Sequence, residues 1–160
     1  MYILFEKMSP EARVWIYQAD RQIIAEEKIQ IENSAEEFLQ GWAAHGNPLN
    51  GSFTILHNKF LVISVDESYN MASGCSIDAS VALVRNLEAQ LDLNFFDRSK
   101  VAFLSNGEVF QSSMTDLKQL ISEGKISSET ITFNNLVANV DQLRNQWKTP
   151  AGETWLKRYF

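Results

Sequence analysis

Two stretches of this 160-residue chain are apolar on both faces of an extended backbone. In "RVWIYQA" (13–19), Val14 lies on one face and Trp15 on the other, and "KFLVISV" (59–65) is similarly apolar on both sides. A sheet built from such strands needs cover on each face. Helices can supply one cover, and the other must come from the C-terminal part of the chain, a second subunit or a ligand. We expect the chain to cover itself.

The elements predicted around these strands follow a definite order. They are strand 13–19, helix 33–46, hairpin 52–66, an amphipathic helix from Ser76 and strand 100–104. In the first helix, Ser34 and Glu37 fit a capping box and Gly46 fits a stop signal. The order predicts an α+β fold with the split βαβ of a ferredoxin-like sheet. Residues 23–31 fit it less well, as either an extra strand or a helical extension.

The remaining residues predict a C-terminal helix-strand-helix extension that covers the sheet. A helix capped by Ser113, the turn "EGKI", the strand "TITF" and a helix near "VDQLRNQW" follow one another. We therefore expect a core over 1–104 and an extension over 105–160, packed together as one domain. Residues 112–135 resemble the equivalent part of small GYF-like modules, without their glycine-tyrosine-phenylalanine signature.

Composition excludes several classes of function. The formal net charge of −6 argues against a nucleic-acid-binding surface, and no apolar run reaches the length of a membrane span. With one cysteine and no signal peptide, we expect a cytoplasmic protein. Residues 1–40 carry eight acidic and four basic residues, whereas 141–160 carry two acidic and four basic ones among several aromatics. This basic tail is predicted to dock on the protein's own acidic side, with a partner-binding segment as the alternative.

Known catalytic signatures are incomplete in this chain. Gly41 and Gly46 have the spacing of a phosphate loop, but Asn47 and Pro48 replace the lysine and hydroxyl that such a loop needs. The loop also leaves a helix and enters a strand, which is the reverse of the usual context. Paired cysteines and the metalloprotease motif are missing. We expect no ATP hydrolysis, no bound metal and no cofactor.

Four short motifs carry a further resemblance. "AHG", "VDE", "SGCSID" and "FNNLV" stand in this order and at this spacing. With them the chain resembles, over nearly its whole length, a group of small uncharacterised bacterial proteins, some of which are labelled as ABC transporter ATPases. The resemblance implies no established activity, and the missing phosphate loop argues against that label.

The predicted topology brings one group of polar residues to one end of the sheet. The end of the first helix and the start of the second meet there, close to where the third strand ends. Candidate catalytic residues are Cys75, His45 and Asp66, and candidate ligand-binding residues are Ser73, Gly74, Ser76, Asp78 and Glu67. His57, at the hairpin tip, is expected at the opposite end as a turn residue.

Three interpretations of Cys75 follow from this placement. A thiol at a helix N-terminus is stabilised as thiolate, and His45 could hold its proton while Asp66 orients the imidazole. The helix start could instead bind a ligand or an anion. Cys75 could also be a small apolar residue buried between the helices, with Ser76 or Asp78 capping and His45 bonding the last carbonyls of the first helix. We favour a module that binds a partner protein or small ligand, with a homodimer as one form, over a thiol-dependent enzyme.

Overall fold

The computed structural model describes residues 1–160 and contains antiparallel sheets of three and four strands, with a separate two-stranded sheet. The strands are β1 (Arg13–Gln18), β2 (Ala43–Ala44), β3 (Asn47–Pro48), β4 (Asn50–Leu56), β5 (Phe60–Asp66), β6 (Lys100–Ser105), β7 (Glu108–Ser113), β8 (Ile131–Phe133) and β9 (Lys148–Pro150). The helices are α1 (Ala25–Gln40), α2 (Gly74–Leu91), α3 (Leu117–Ser122) and α4 (Val140–Gln146). Three 3₁₀ turns cover Phe5–Lys7, Ala151–Glu153 and Trp155–Tyr159.

The first sheet has the strand order β1-β5-β4, and β2 and β3 form a small separate hairpin. The three strands stand in the positions that the first strand and the hairpin occupy in a ferredoxin-like sheet. The fourth position, beside β1, is not filled by β6, which belongs to the second sheet of order β7-β6-β8-β9. The Val14 N–H, on the outer side of β1, donates instead to the Ala138 carbonyl at 3.1 Å, and the Val140 N–H donates to the carbonyl of Ala12, just before β1, at 3.0 Å. The α+β class is therefore confirmed, whereas the complete ferredoxin-like sheet is not.

Both faces of the first sheet are buried. One face, with Leu61 and Ile63, packs against α1 and α2 in a first core of 18 buried residues. The opposite face, with Val14 and Phe60, packs in a second core of 11 residues that includes Trp147 from the C-terminal part of the chain. A third cluster joins α3 to the 3₁₀ turns near the C-terminus. The chain thus supplies its own cover for the strands that are apolar on both sides.

Helix α1 begins and ends earlier than its sequence pattern predicts. It starts at Ala25, where the Glu27 carboxylate accepts a hydrogen bond from the Ile24 N–H at 3.1 Å, and it ends at Gln40. Ser34 therefore lies inside the helix, and the predicted cap of Ser34 and Glu37 is wrong. Within residues 23–31, positions 25–31 form the start of this helix rather than a strand, and Ile31 continues its buried face towards the N-terminus.

Gly46 does not end a helix. His45 and Gly46 both have positive φ, 51° and 79°, and form the two-residue turn between β2 and β3. Positive φ at both central residues is the geometry that joins two antiparallel strands with the natural twist. The prediction that α1 continues to Gly46 is wrong because the turn-forming pair serves a hairpin.

The second sheet contains a strand, β7, that the sequence pattern did not indicate. β7 pairs with β6 along its whole length, and the turn between them consists of Asn106 and Gly107. β8 pairs with β6 on the other side. The predicted boundary between residues 104 and 105 lies within β6.

Candidate functional site

The candidate residues other than Asp78 lie at one end of the first sheet, on a surface formed by residues 43–48 and 66–76. We call this surface the loop end. Two hydrogen bonds connect its parts: the buried Trp42 indole N–H donates to the Ser76 carbonyl at 2.8 Å, and the Asn70 amide donates to the Pro48 carbonyl at 2.9 Å. The segment after α1 and the start of α2 are therefore neighbours, as the topology predicts.

Helix α2 begins at Gly74 and is capped by Ser73. The Ser76 N–H donates to Ser73 Oγ at 3.1 Å, and the Ser73 N–H donates to Ser76 Oγ at 2.8 Å. This reciprocal pair satisfies two backbone donors at the helix start. The prediction that Ser76 or Asp78 is the cap is wrong, because the helix begins two residues before Ser76. Asp78 is an exposed residue of the helix.

The Cys75 thiol is exposed. The third interpretation, in which Cys75 is a small apolar residue buried between the helices, is therefore wrong. His45 is also exposed, at the tip of the β2–β3 turn, where it bonds no carbonyl of α1. The structure brings Cys75 and His45 to the same loop end without a hydrogen bond between them. Sequence spacing cannot reveal this, because it does not indicate which way a turn directs its side chains.

The two predicted carboxylates bond to the backbone of the loop. Asp66 accepts from the Ser68 N–H and Glu67 accepts from the Ala72 N–H, each at 3.0 Å. Glu67 also lies 3.9 Å from the guanidinium of Arg13. Asp66 and Glu67 therefore fix the loop that follows β5, and no hydrogen bond joins Asp66 to His45. No cluster of three His, Cys, Asp or Glu side chains suitable for a metal ion forms in the protein.

Two residues of the loop end were missed by sequence reasoning. Tyr69 is 81% exposed and Met71 is 75% exposed, the former among the largest exposures of any large apolar residue in the chain. Their loop is nevertheless held at Asp66, Glu67 and Asn70. The segment "ESYNMAS" gives no periodic signal that separates exposed from buried apolar residues, so the pattern alone could not identify them.

At the opposite end of the first sheet, His57 occupies the β4–β5 turn and contacts two aromatic side chains from the C-terminal part of the chain. Its ring lies 5.7 Å from that of Phe133 and 5.9 Å from that of Trp147, between ring centroids. Burial, with a smaller contribution from the charge of Lys148, lowers the pKa of His57 below its ordinary value. His57 is thus a turn residue, as expected, and also part of the contact between the two sheets.

Lys59, two residues further on, is only 4% exposed and forms no ion pair within 4 Å. Burial lowers its pKa, and nearby Asp20 opposes that shift.

Comparisons with known proteins give no relative: no family model, curated protein or solved structure matches the chain. The resemblance to small uncharacterised bacterial proteins therefore stays a prediction. None of the helices has the combination of length and apolar character that crossing a bilayer requires.

Proposed function

We propose that the protein is a binding module that docks a partner protein at the loop end and carries out no chemistry of its own. The observation that carries this proposal is the exposure of Tyr69 and Met71 on a loop fixed by hydrogen bonds. Tyrosine and methionine are enriched at the centres of protein interfaces. An already ordered loop loses little conformational entropy on binding, which favours affinity.

Charge around these two side chains defines the partner further. Asp66 and Glu67 lie on the loop end, and the guanidinium of Arg13 lies 3.9 Å from Glu67. A partner would therefore need an apolar pocket for Tyr69 and Met71 with basic residues at its rim. The single cysteine suits the reducing cytoplasm, where we expect the module to act.

Site-specific photo-crosslinking tests this proposal. A benzophenone amino acid replaces Tyr69 in one variant and Arg144, an exposed residue of α4, in the control. In cells that make the natural protein, we expect a discrete protein adduct from position 69 that disappears when Met71→Glu is added, and no such adduct from position 144. Equal adducts at both positions, or none at position 69, would refute docking at the loop end.

A thiol-dependent enzyme is the second candidate, and the exposure of Cys75 at the start of an 18-residue helix favours it. The unpaired N–H groups and dipole of a helix start stabilise a thiolate. Iodoacetamide alkylation at a series of pH values separates the candidates in the wild type and in His45→Ala. We expect the alkylation rate to be unchanged by His45→Ala. Fast alkylation at neutral pH that depends on His45 would support the enzyme instead.

A further inference from the structure

Strand β7 is an outer strand of the second sheet, so one side of its backbone faces away from β6. The turn Asn106–Gly107 has two residues with φ of 52° and 78°, and such a turn is closed by a hydrogen-bonded pair, here Ser105 and Glu108. Hydrogen-bonded and non-bonded pairs alternate along an antiparallel ladder. The backbone groups of Val109, Gln111 and Ser113 therefore point outwards.

Most of these outward groups have no partner in the protein. The Ser113 carbonyl accepts from the Asp116 N–H at 3.2 Å. The N–H groups of Val109, Gln111 and Ser113, and the carbonyls of Val109 and Gln111, take part in no such bond. The outer sides of β1 and β4 are each bonded in part by another backbone segment, through Ala138 and Met1.

β7 also lacks the features that usually protect an edge strand from pairing with another chain. Lysine, proline and bulges are the common protective devices. The strand reads "EVFQSS", with one charge at its first residue and neither lysine nor proline. An unprotected edge of six residues is long enough to pair with another strand.

A groove of about 430 Å³ lies between the last three residues of β7 and α3. Its lining is polar and contains more acidic than basic side chains. It consists of Gln111, Ser112, Ser113, Asp116, Gln119, Leu120, Glu123 and Lys125. Because the Lys125 ammonium lies 2.9 Å from Glu123, the carboxylate of Asp116 has no basic partner in the groove and bonds to the Ser113 hydroxyl at 2.7 Å.

We propose that an extended segment of a partner protein adds to β7 as a fifth strand of the second sheet, with a lysine or arginine side chain directed into the groove. The free N–H groups of Val109, Gln111 and Ser113 and the free carbonyls of Val109 and Gln111 would bond to the added strand. Such backbone bonds supply affinity that does not depend on the partner's side chains. The Asp116 carboxylate would select a basic residue by charge complementarity. This surface and the loop end share no residue, so each can be tested without the other.

Titration with short peptides, followed by amide NMR spectra of the full-length protein, tests the proposal. The probe is a nine-residue peptide in which lysine and threonine alternate. A second peptide replaces each lysine by glutamate, and a third replaces each threonine by proline, which removes backbone donors. We expect the lysine peptide to shift the amide signals of β7 and α3, the glutamate peptide to bind at least about tenfold more weakly, and the proline peptide not to bind.

Two protein variants separate backbone pairing from charge. Val109→Pro removes an outward N–H that β6 does not use, whereas Val109→Thr keeps it and is the matched control. We expect loss of binding in the first only, and Asp116→Asn should remove the preference for lysine over glutamate. Because the proline peptide leaves the protein unchanged, the test stands even if Val109→Pro fails to fold.

Three results would overturn the proposal. The first is equal binding of the lysine and glutamate peptides, and the second is the absence of β7 shifts at about 1 mM lysine peptide. The third is a concentration-dependent shift of the β7 signals without peptide, which would mean that a second copy of the chain occupies the edge.

Discussion

Replacing Arg21 by Ala tests a contact that joins the start of α1 to the end of α2. The guanidinium donates to both carboxylate oxygens of Glu27, at 2.8 and 2.7 Å, and to the carbonyl of Leu91 at 2.9 Å. It thus fixes a carboxylate in the first turn of one helix and a free carbonyl in the last turn of another. Both groups are ones that a helix end leaves in need of a partner.

The expected loss of stability follows from the burial of the two side chains. Glu27 is 10% exposed and Arg21 is 43% exposed, so removal of the guanidinium leaves a nearly buried carboxylate without its charged partner. A fully buried pair broken in this way costs about 3–5 kcal/mol, and the exposed side of Arg21 lowers that figure. We therefore expect Arg21→Ala to lower the free energy of unfolding by about 2 kcal/mol and Tm by roughly 4–8 °C.

Urea denaturation near neutral pH measures this change, with Arg98→Ala as the control. Arg98 is exposed and forms no ion pair, so its removal should change stability by less than about 0.5 kcal/mol. Glu27→Gln, alone and with Arg21→Ala, completes a double-mutant cycle with an expected coupling of about 1–2 kcal/mol. Equal effects of Arg21→Ala and Arg98→Ala, or strictly additive changes in the cycle, would refute this account of the contact.

Acid should weaken the same contact. The hydrogen bond from Arg21 lowers the pKa of Glu27 below its ordinary value. The contribution of the pair is therefore present above the pKa of the unfolded chain and is lost as the pH falls below it, towards the lower folded value. In the Glu27→Gln variant that part of the acid dependence should be missing.

Three further outcomes follow from packing and titration. Gly51→Ala should lower the free energy of unfolding by about 1–3 kcal/mol, because the new Cβ would lie 2.7 Å from the side chain of Leu39. The control Gly41→Ala, where the nearest atom to the new Cβ is at 4.0 Å, should be nearly neutral, and thermal melts measure both variants. Trp147→Ala should lower Tm by roughly 10 °C, since Trp147 is 4% exposed and packs against Phe60 and Phe133. Trp155→Ala, at a 53% exposed position, should change Tm little. Similar melts for both variants would mean that the tail is not part of the fold. The pKa of His57 is lower in the folded than in the unfolded chain, so the free energy of unfolding should fall once the pH drops below the unfolded value of about 6.5. Denaturation midpoints of His57→Gln should lose this pH dependence, whereas those of the control His45→Asn should keep it.

The sequence by itself determined the helices and strands whose apolar residues recur at regular spacing. It also determined that both faces of the first sheet must be packed against other parts of the structure. Strands apolar on both faces required packing on both sides, and the steps of three and four from Ile77 to Leu91 determined the second helix. Side-chain periodicity reports local burial, which is why these predictions agree with β1, β5 and α2. The predicted order of strands and helices also placed Cys75 and His45 at the same end of the sheet.

Only the tertiary structure decided which edges pair and which side chains of the loop end face outwards. β6 joins the second sheet, and the outer side of β1 bonds to Ala138, far along the chain, instead. The same pair, His45 and Gly46, can end a helix or turn a hairpin, and local propensity does not separate the two. The exposure of Cys75 and Tyr69 and the open edge of β7 likewise depend on what the rest of the chain leaves uncovered. Such long-range contacts carry no signal in the spacing of neighbouring residues, because the period of a segment shows which of its faces is buried but not which partner buries it.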